Sequence, residues 1–151
     1  MKTFRCNCGE SIYVDDNVFD VLSTFKWHCT DNTVKSHVNK DEWLILSHFI
    51  IEVFKGQRVD HKDQNIHNNV RSNLRIATAA QNACNTKQYE TNTTGLRGVG
   101  WHKRSRKWRA TITHHKQSIH IGLFDSKEEA AVAYNQAALQ LHKEFATLNQ
   151  V

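Results

Sequence analysis

VDHKDQNIHNNVRSNLRIATAAQN, residues 59–82, packs five asparagines and two histidines into a segment with only a sparse apolar pattern. Asparagine is common in turns, because its side chain bonds the backbone two residues on and tolerates left-handed conformations. A linker is therefore one reading. The other is a site that positions a cation and a water. Metal-assisted hydrolysis needs an activated water, a cation on the leaving oxygen and a fixed geometry between them. A neutral imidazole accepts a proton from water. Hard cations such as magnesium take oxygen ligands, which Asp and Asn supply. Asp60 and His61 are adjacent at the end of the apolar-led Arg-Val-Asp strand. Asn73 falls where its amide can hold the loop that presents His61. Thr78 and Gln81 form a capping-box pattern, which starts a helix and puts Asn82 in its first exposed turn.

Outward from this segment, the chain has 151 residues and 39% hydrophobic content, enough for one medium domain or two small ones. The longest apolar run, Trp43 to Phe54, is broken by Ser47, His48 and Glu52 and is too short to span a bilayer. The start, MKTFRCNCGE, has no apolar run like that of a signal peptide. A soluble, intracellular protein that does not enter membranes is expected. Cysteines stand at 6, 8, 29 and 84. Without a secretion signal, disulfides are not expected. Cys6, Cys8, His28 and Cys29 raise the question of zinc. The Cys-x-Cys gap is tighter than the usual spacing and no second well-spaced pair exists, so packed cysteines are the expectation.

Charge divides the chain. Residues 1–90 carry 11 basic and 11 acidic side chains, whereas residues 91–151 carry 9 and 4. Arg97 to Lys116 holds seven basic residues and no acidic one, interleaved with Trp101 and Trp108. A field of one sign with aromatics is the footprint of a polyanion partner. YETNTTG, residues 89–95, reads as a linker at the same place. Two domains follow, 1–90 and 91–151.

Residues 1–58 read as small strands and a short helix over VFDVLSTF, packed around Trp27, Trp43 and Phe49. The second half has a clearer period. Trp108, Ala110 and Ile112 point to one face of a strand, and Lys107, Arg109, Thr111 and Thr113 to the other. HHKQ is a polar turn, with His114 and His115 solvated. Ile119 and Ile121 point inward on the next strand, Ser118 and His120 outward. A helix then opens on the Ser126–Glu129 capping box, with Ala130, Ala133, Tyr134, Ala137, Ala138 and Leu141 as its apolar stripe. Three strands and one helix leave one sheet face bare, and that face carries the basic residues.

The motif V-D-H-K-D-x-N-x-x-N-N-x-x-S-N-L-R-x-A-T-x-x-Q-N-x-x-N resembles the HNH endonucleases, more narrowly the phage and intron-encoded homing type, over about residues 44–87. The resemblance implies a ββα-metal fold and one divalent ion, Mg2+ or Mn2+. Its general base falls on His61, its metal ligands on Asp60 and Asn82, and its middle asparagine, a catalytic position, on Asn73. Asn85 stands one turn on, as a supporting ligand. His48 matches an upstream histidine whose usual arginine neighbour is absent. His67 matches no functional position, and Asn65, Asn68 and Asn69 read as turn builders.

Residues 95–149 resemble the APETALA/ethylene-response-factor type of DNA-binding domain. The likeness lies in R-G-V, K-W-R-A-x-I, I-x-I-G-x-F, E-E-A-A-x-A-Y and A-x-L-N, in that order. That family lays a three-stranded sheet into the major groove. Arg97, Trp101, Lys103, Arg104, Arg106, Arg109, Thr111 and Thr113 are the DNA-contacting residues expected here, with Trp108 in the core. Gly100 stands where a second arginine is usual, and Ser118 and His120 replace an arginine and a tryptophan, which implies weaker base readout. The whole is an α+β chain: a ββα-metal nuclease domain, then a three-stranded antiparallel sheet on one helix. The expected activity is metal-dependent cutting of double-stranded DNA, most simply nicking, by a monomer or weak dimer. The competing reading is a catalytically inactive, sequence-specific DNA-binding protein.

Overall fold

Short β-prone runs broken by polar turns give short strands, and the first half of the chain is built from them. The computed structural model of the chain describes residues 1–30, 32–85 and 92–151. It divides into two compact units, Met1–Asn82 and Ala83–Val151. The expected boundary at 90/91 lies outside the described residues. Both units mix helices with small antiparallel sheets.

In the first unit β1 (Lys2–Arg5) pairs with β2 (Ser11–Val14). The helix expected over VFDVLSTF is α1 (Asp16–Leu22). β3 (His28–Cys29), β4 (Val34–His37) and β5 (Trp43–Ile45) form a meander, followed by α2 (Leu46–Ile50). β6 (Arg58–His61) then pairs with β7 (Leu74–Ala77), and α3 (Ala79–Cys84) follows, its last two residues assigned to the second unit.

Ile12, Val14, Leu22, Trp27, Val34 and Leu46 make the core with Cys6. Trp27 sits inside it, its indole N–H donating to the Leu22 carbonyl at 2.8 Å. Trp43 and Phe49 do not join, with 43% and 44% of their surfaces exposed. Trp43 instead packs on the surface against the His37 ring and under the Lys35 ammonium, 4.0 Å from its ring centre. The cysteines also depart from expectation: Cys6 and Cys8 are joined as a disulfide. Their Cα atoms lie 5.4 Å apart, inside the range a disulfide spans.

In the second unit β8 (Val99–His102), β9 (Lys107–His114) and β10 (Gln117–Phe124) form one antiparallel sheet with β9 central. α4 (Lys127–His142) packs on it, its first turn closed by the Ser126–Glu129 capping box. Ala110, Ala130, Ala131 and Ala138 are fully buried, so small residues let helix and sheet approach closely. β9 alternates as its sequence dictates. β10 does not, because its pairing shifts between His120 and Gly122. Ile121 packs into the core, but Ile119, on the edge strand, is 39% exposed. Residues 92–95 form a bonded turn rather than a slack linker: the Asn92 amide donates to the Leu96 carbonyl at 2.8 Å and the Thr94 hydroxyl to the Val99 carbonyl at 3.0 Å.

Candidate functional site

The asparagine-rich segment between β6 and β7 is a folded loop whose side chains supply much of its hydrogen bonding. The Asn73 amide sits at the centre. Its nitrogen donates to the Asp63 carboxylate at 2.9 Å and the Asn68 carbonyl at 2.7 Å, and its oxygen accepts the Asp63 backbone N–H at 3.2 Å. Asp63 also accepts from the Asn65 backbone and the Asn68 amide. Burial alone would raise the Asp63 pKa, but these bonds from Asn65, Asn68 and Asn73 together hold it below its ordinary 3.8. The loop is also docked on its own unit. Tyr13 of β2 exchanges backbone bonds with His67 and Asn69, and Asp15 accepts the Arg71 backbone N–H at 2.6 Å.

This loop fixes His61. The Asn69 side chain, 1% exposed, donates through its nitrogen to the Ile66 carbonyl at 2.8 Å. Its oxygen is thereby left facing His61 Nε2 at 3.1 Å. An amide oxygen only accepts, so the proton of a neutral His61 ring belongs on Nε2 and Nδ1 is the proton-accepting nitrogen. Burial pushes the ring below its ordinary 6.5, against the opposing pull of Asn69, Asp63 and Asp60. That direction favours the neutral form of the ring.

Asp60 precedes it on β6, with Arg75 directly opposite on β7. The Arg75 Nε donates to Asp60 Oδ2 at 2.7 Å, and both side chains are largely buried. Asn82 lies in α3, behind the Thr78–Gln81 box, in which Gln81 N donates to the Thr78 hydroxyl and Thr78 N to the Gln81 side chain. Asn82 is half-buried rather than exposed. Carboxylate and amide oxygens, which Asp60 and Asn82 carry, are the donor class that hard divalent cations take. Asn85 lies in the second unit, where its side-chain oxygen accepts from the Thr147 hydroxyl at 3.4 Å. His48 is an exposed residue of α2.

Two residues of this region escaped the sequence reading. Asn69 has the same surroundings in the sequence as Asn65 and Asn68, and only burial separates it from those turn builders. Arg75 becomes a partner of Asp60 through strand register, for which the sequence gives a cue only once the hairpin is aligned.

In the second unit, the sheet face away from α4 carries Arg109, Thr113, Ser118 and His120, all exposed. Gly100 stands opposite Arg109 and so leaves room beside the guanidinium. Lys103, Arg104 and Arg106 are exposed in the turn after β8, Arg106 in a left-handed conformation. Thr111 is half-buried, its backbone N–H bonded to the Gly98 carbonyl at 2.8 Å. Arg97 is half-buried, and its backbone is clasped by the Asn149 amide at 2.6 and 3.1 Å. Trp101 lies elsewhere: it pairs with Trp108 on the helix-side face, with 50% of its surface exposed and the two rings edge to face at 5.2 Å.

Known proteins match along these lines. Residues 94–144 match the AP2 domain model. Protein 3.8 of Escherichia phage T7 is 36% identical over 92 residues, which are 61% of this chain and 75% of that protein. An uncharacterized HNH endonuclease of Acanthamoeba polyphaga mimivirus is 26% identical over 148 residues, covering 95% of this chain and 76% of that one. An ethylene-responsive transcription factor-like protein of Arabidopsis thaliana is 43% identical over 49 residues, 32% of this chain and 21% of its own. No solved structure matches significantly. With a hydrogen-bonded histidine loop in one unit and a three-stranded sheet on a helix in the other, the chain belongs to the family of Protein 3.8 of Escherichia phage T7 and carries an AP2 domain at residues 94–144.

Proposed function

We propose that the chain is a metal-dependent, HNH homing-type endonuclease that nicks double-stranded DNA, held on the duplex by its AP2 domain. The observation that carries this reading is the Asn69 clamp, which makes Nδ1 the basic nitrogen of a neutral, desolvated His61 next to Asp60. In this reading His61 takes a proton from the water that attacks phosphorus. Asn73 is a positioning residue, since its amide holds the loop behind His61. Asp60 and Asn82 would hold Mg2+ or Mn2+, which when bound stabilises charge on the leaving oxygen. The order hairpin then helix over β6, β7 and α3 supports a ββα-metal unit, and the name of the mimivirus relative points the same way. Exposed Arg104, Arg106 and Arg109 with Lys103 supply the charge for a phosphate backbone. A single active site per chain favours nicking by a monomer or weak dimer, acting inside the cell. No helix among the described residues is long and apolar enough to cross a membrane.

The second reading, an inactive DNA-binding protein, is favoured by one observation: the buried Asp60–Arg75 ion pair gives Asp60 a structural role without any metal. Supercoiled plasmid separates the two. Nicked circles that need Mg2+ and vanish with EDTA support the nuclease; intact plasmid under conditions of full binding supports the alternative.

A further inference from the structure

Cys6, Cys8 and Cys29 place their three sulfur atoms within 4.8 Å of one another. They come from two separate segments, the turn between β1 and β2 and strand β3. Asn7, between the first two cysteines, ties these segments together. Its backbone N–H donates to the Trp27 carbonyl at 3.0 Å and its side-chain oxygen accepts the Cys29 N–H at 3.4 Å. The turn itself is closed by bonds from Cys6 N to the Glu10 carbonyl and from Gly9 N to the Cys6 carbonyl, both 3.0 Å. The backbone thus holds a third thiol beside the first two.

A disulfide accounts for two of these sulfurs, while Cys29 stays a free thiol beside them, packed against the core. The disulfide closes a loop with a sequence separation of only 2. The entropic gain from a cross-link grows with loop length, so a bridge this short contributes least. A tetrahedral thiolate site explains all three. With metal–sulfur bonds of about 2.3 Å, sulfurs in such a site lie roughly 3.8 Å apart. Here Cys6 and Cys8 are bonded to one another and all three sulfurs lie within 4.8 Å, so reduction must let the Cys6–Cys8 pair open to that spacing. Cys6 is buried, Cys29 half-buried and Cys8 exposed, so the cluster has an apolar floor and an open side for entry and for water as a fourth ligand.

We propose that Cys6, Cys8 and Cys29 of the reduced chain form a thiolate site for one zinc-class divalent cation. Thiolates select borderline and soft cations, so this site is chemically distinct from the oxygen donors of Asp60 and Asn82. The disulfide and the metal site are alternative states. A phosphine reductant gives two electrons to the Cys6–Cys8 bond and becomes the phosphine oxide, water supplying its oxygen and the two protons that complete two thiols. The three thiols then lose their protons to solvent as the cation binds.

The test uses the full chain, reduced with a phosphine and stripped of metal, titrated with Co2+. One Co2+ per chain is expected, with thiolate-to-cobalt charge-transfer absorption and tetrahedral visible bands that Zn2+ abolishes and excess Mg2+ leaves intact. Cys8→Ser removes an exposed thiol and should fold, which circular dichroism checks. It and Cys29→Ser should each weaken Co2+ binding by about tenfold or more, while Cys84→Ser binds as the unmodified chain does. Absence of the charge-transfer band in the reduced chain, or full-strength Co2+ binding by folded Cys8→Ser, overturns the proposal. None of these readouts depends on DNA cleavage.

Discussion

Asn69 shows how one buried amide sets the chemistry of its neighbour. Its nitrogen is committed to Ile66, so its oxygen must meet a donor, and His61 Nε2 is that donor. Asn69→Ala should cost about 1–3 kcal/mol, because it strips partners from the Ile66 carbonyl and a buried ring nitrogen. Urea unfolding of the variant measures it, and an unchanged midpoint would show the clamp to be idle. Asp63 makes a pH prediction. Its folded pKa lies below 3.8, so the folded carboxylate binds its proton less readily than the unfolded one. The resulting stabilisation is complete above the unfolded value and is lost as pH falls through the folded value. Asp63→Asn should remove that portion of the acid sensitivity of unfolding. Asp60, His61 and Asn73 were singled out as candidates from spacing and resemblance. Asn69 was not, because burial and not residue type sets it apart among its neighbours.

Elements carry a different set of constraints. Both capping boxes, at Thr78–Gln81 and Ser126–Glu129, follow from four-residue patterns and form as the sequence implies. The alternation of β9 is equally legible, since one strand with one buried face obeys a period of two. That of β10 is not, because the bulge near Ile121 changes which residues face α4. The exposure of Trp43 and Phe49 was also beyond sequence reasoning: large apolar side chains prefer the core, but Trp43 finds local partners in His37 and Lys35 on the surface. Gly98 supplies an element-level test. It sits at φ +69°, and an added Cβ would run into the Thr111 carbonyl oxygen and the Tyr134 ring. Gly98→Ala should therefore destabilise the second unit by about 1–3 kcal/mol. A fall in melting temperature of about 4–8 °C per kcal/mol is expected for a unit of this size; a variant that melts like the parent would contradict the close approach of β8, β9 and α4.

In the molecule as a whole, a polar, pinned loop belongs to one unit and a basic sheet to the other. Charge asymmetry predicted the second from composition alone, since the excess of basic residues falls entirely after residue 90. Arg97→Ala combined with Arg109→Ala should weaken DNA binding at low salt and reduce the slope of log affinity against log salt by about 1–2. Filter binding across a salt series reads both, and an unaltered slope would remove these arginines from the interface. The cutting reaction is tested most directly by comparing the parent chain and His61→Ala on supercoiled plasmid with Mg2+, with DNA affinity measured in parallel. Loss of about 10²–10⁴-fold in nicking rate at unchanged affinity is the predicted result. Nicking by His61→Ala at the parental rate would contradict it.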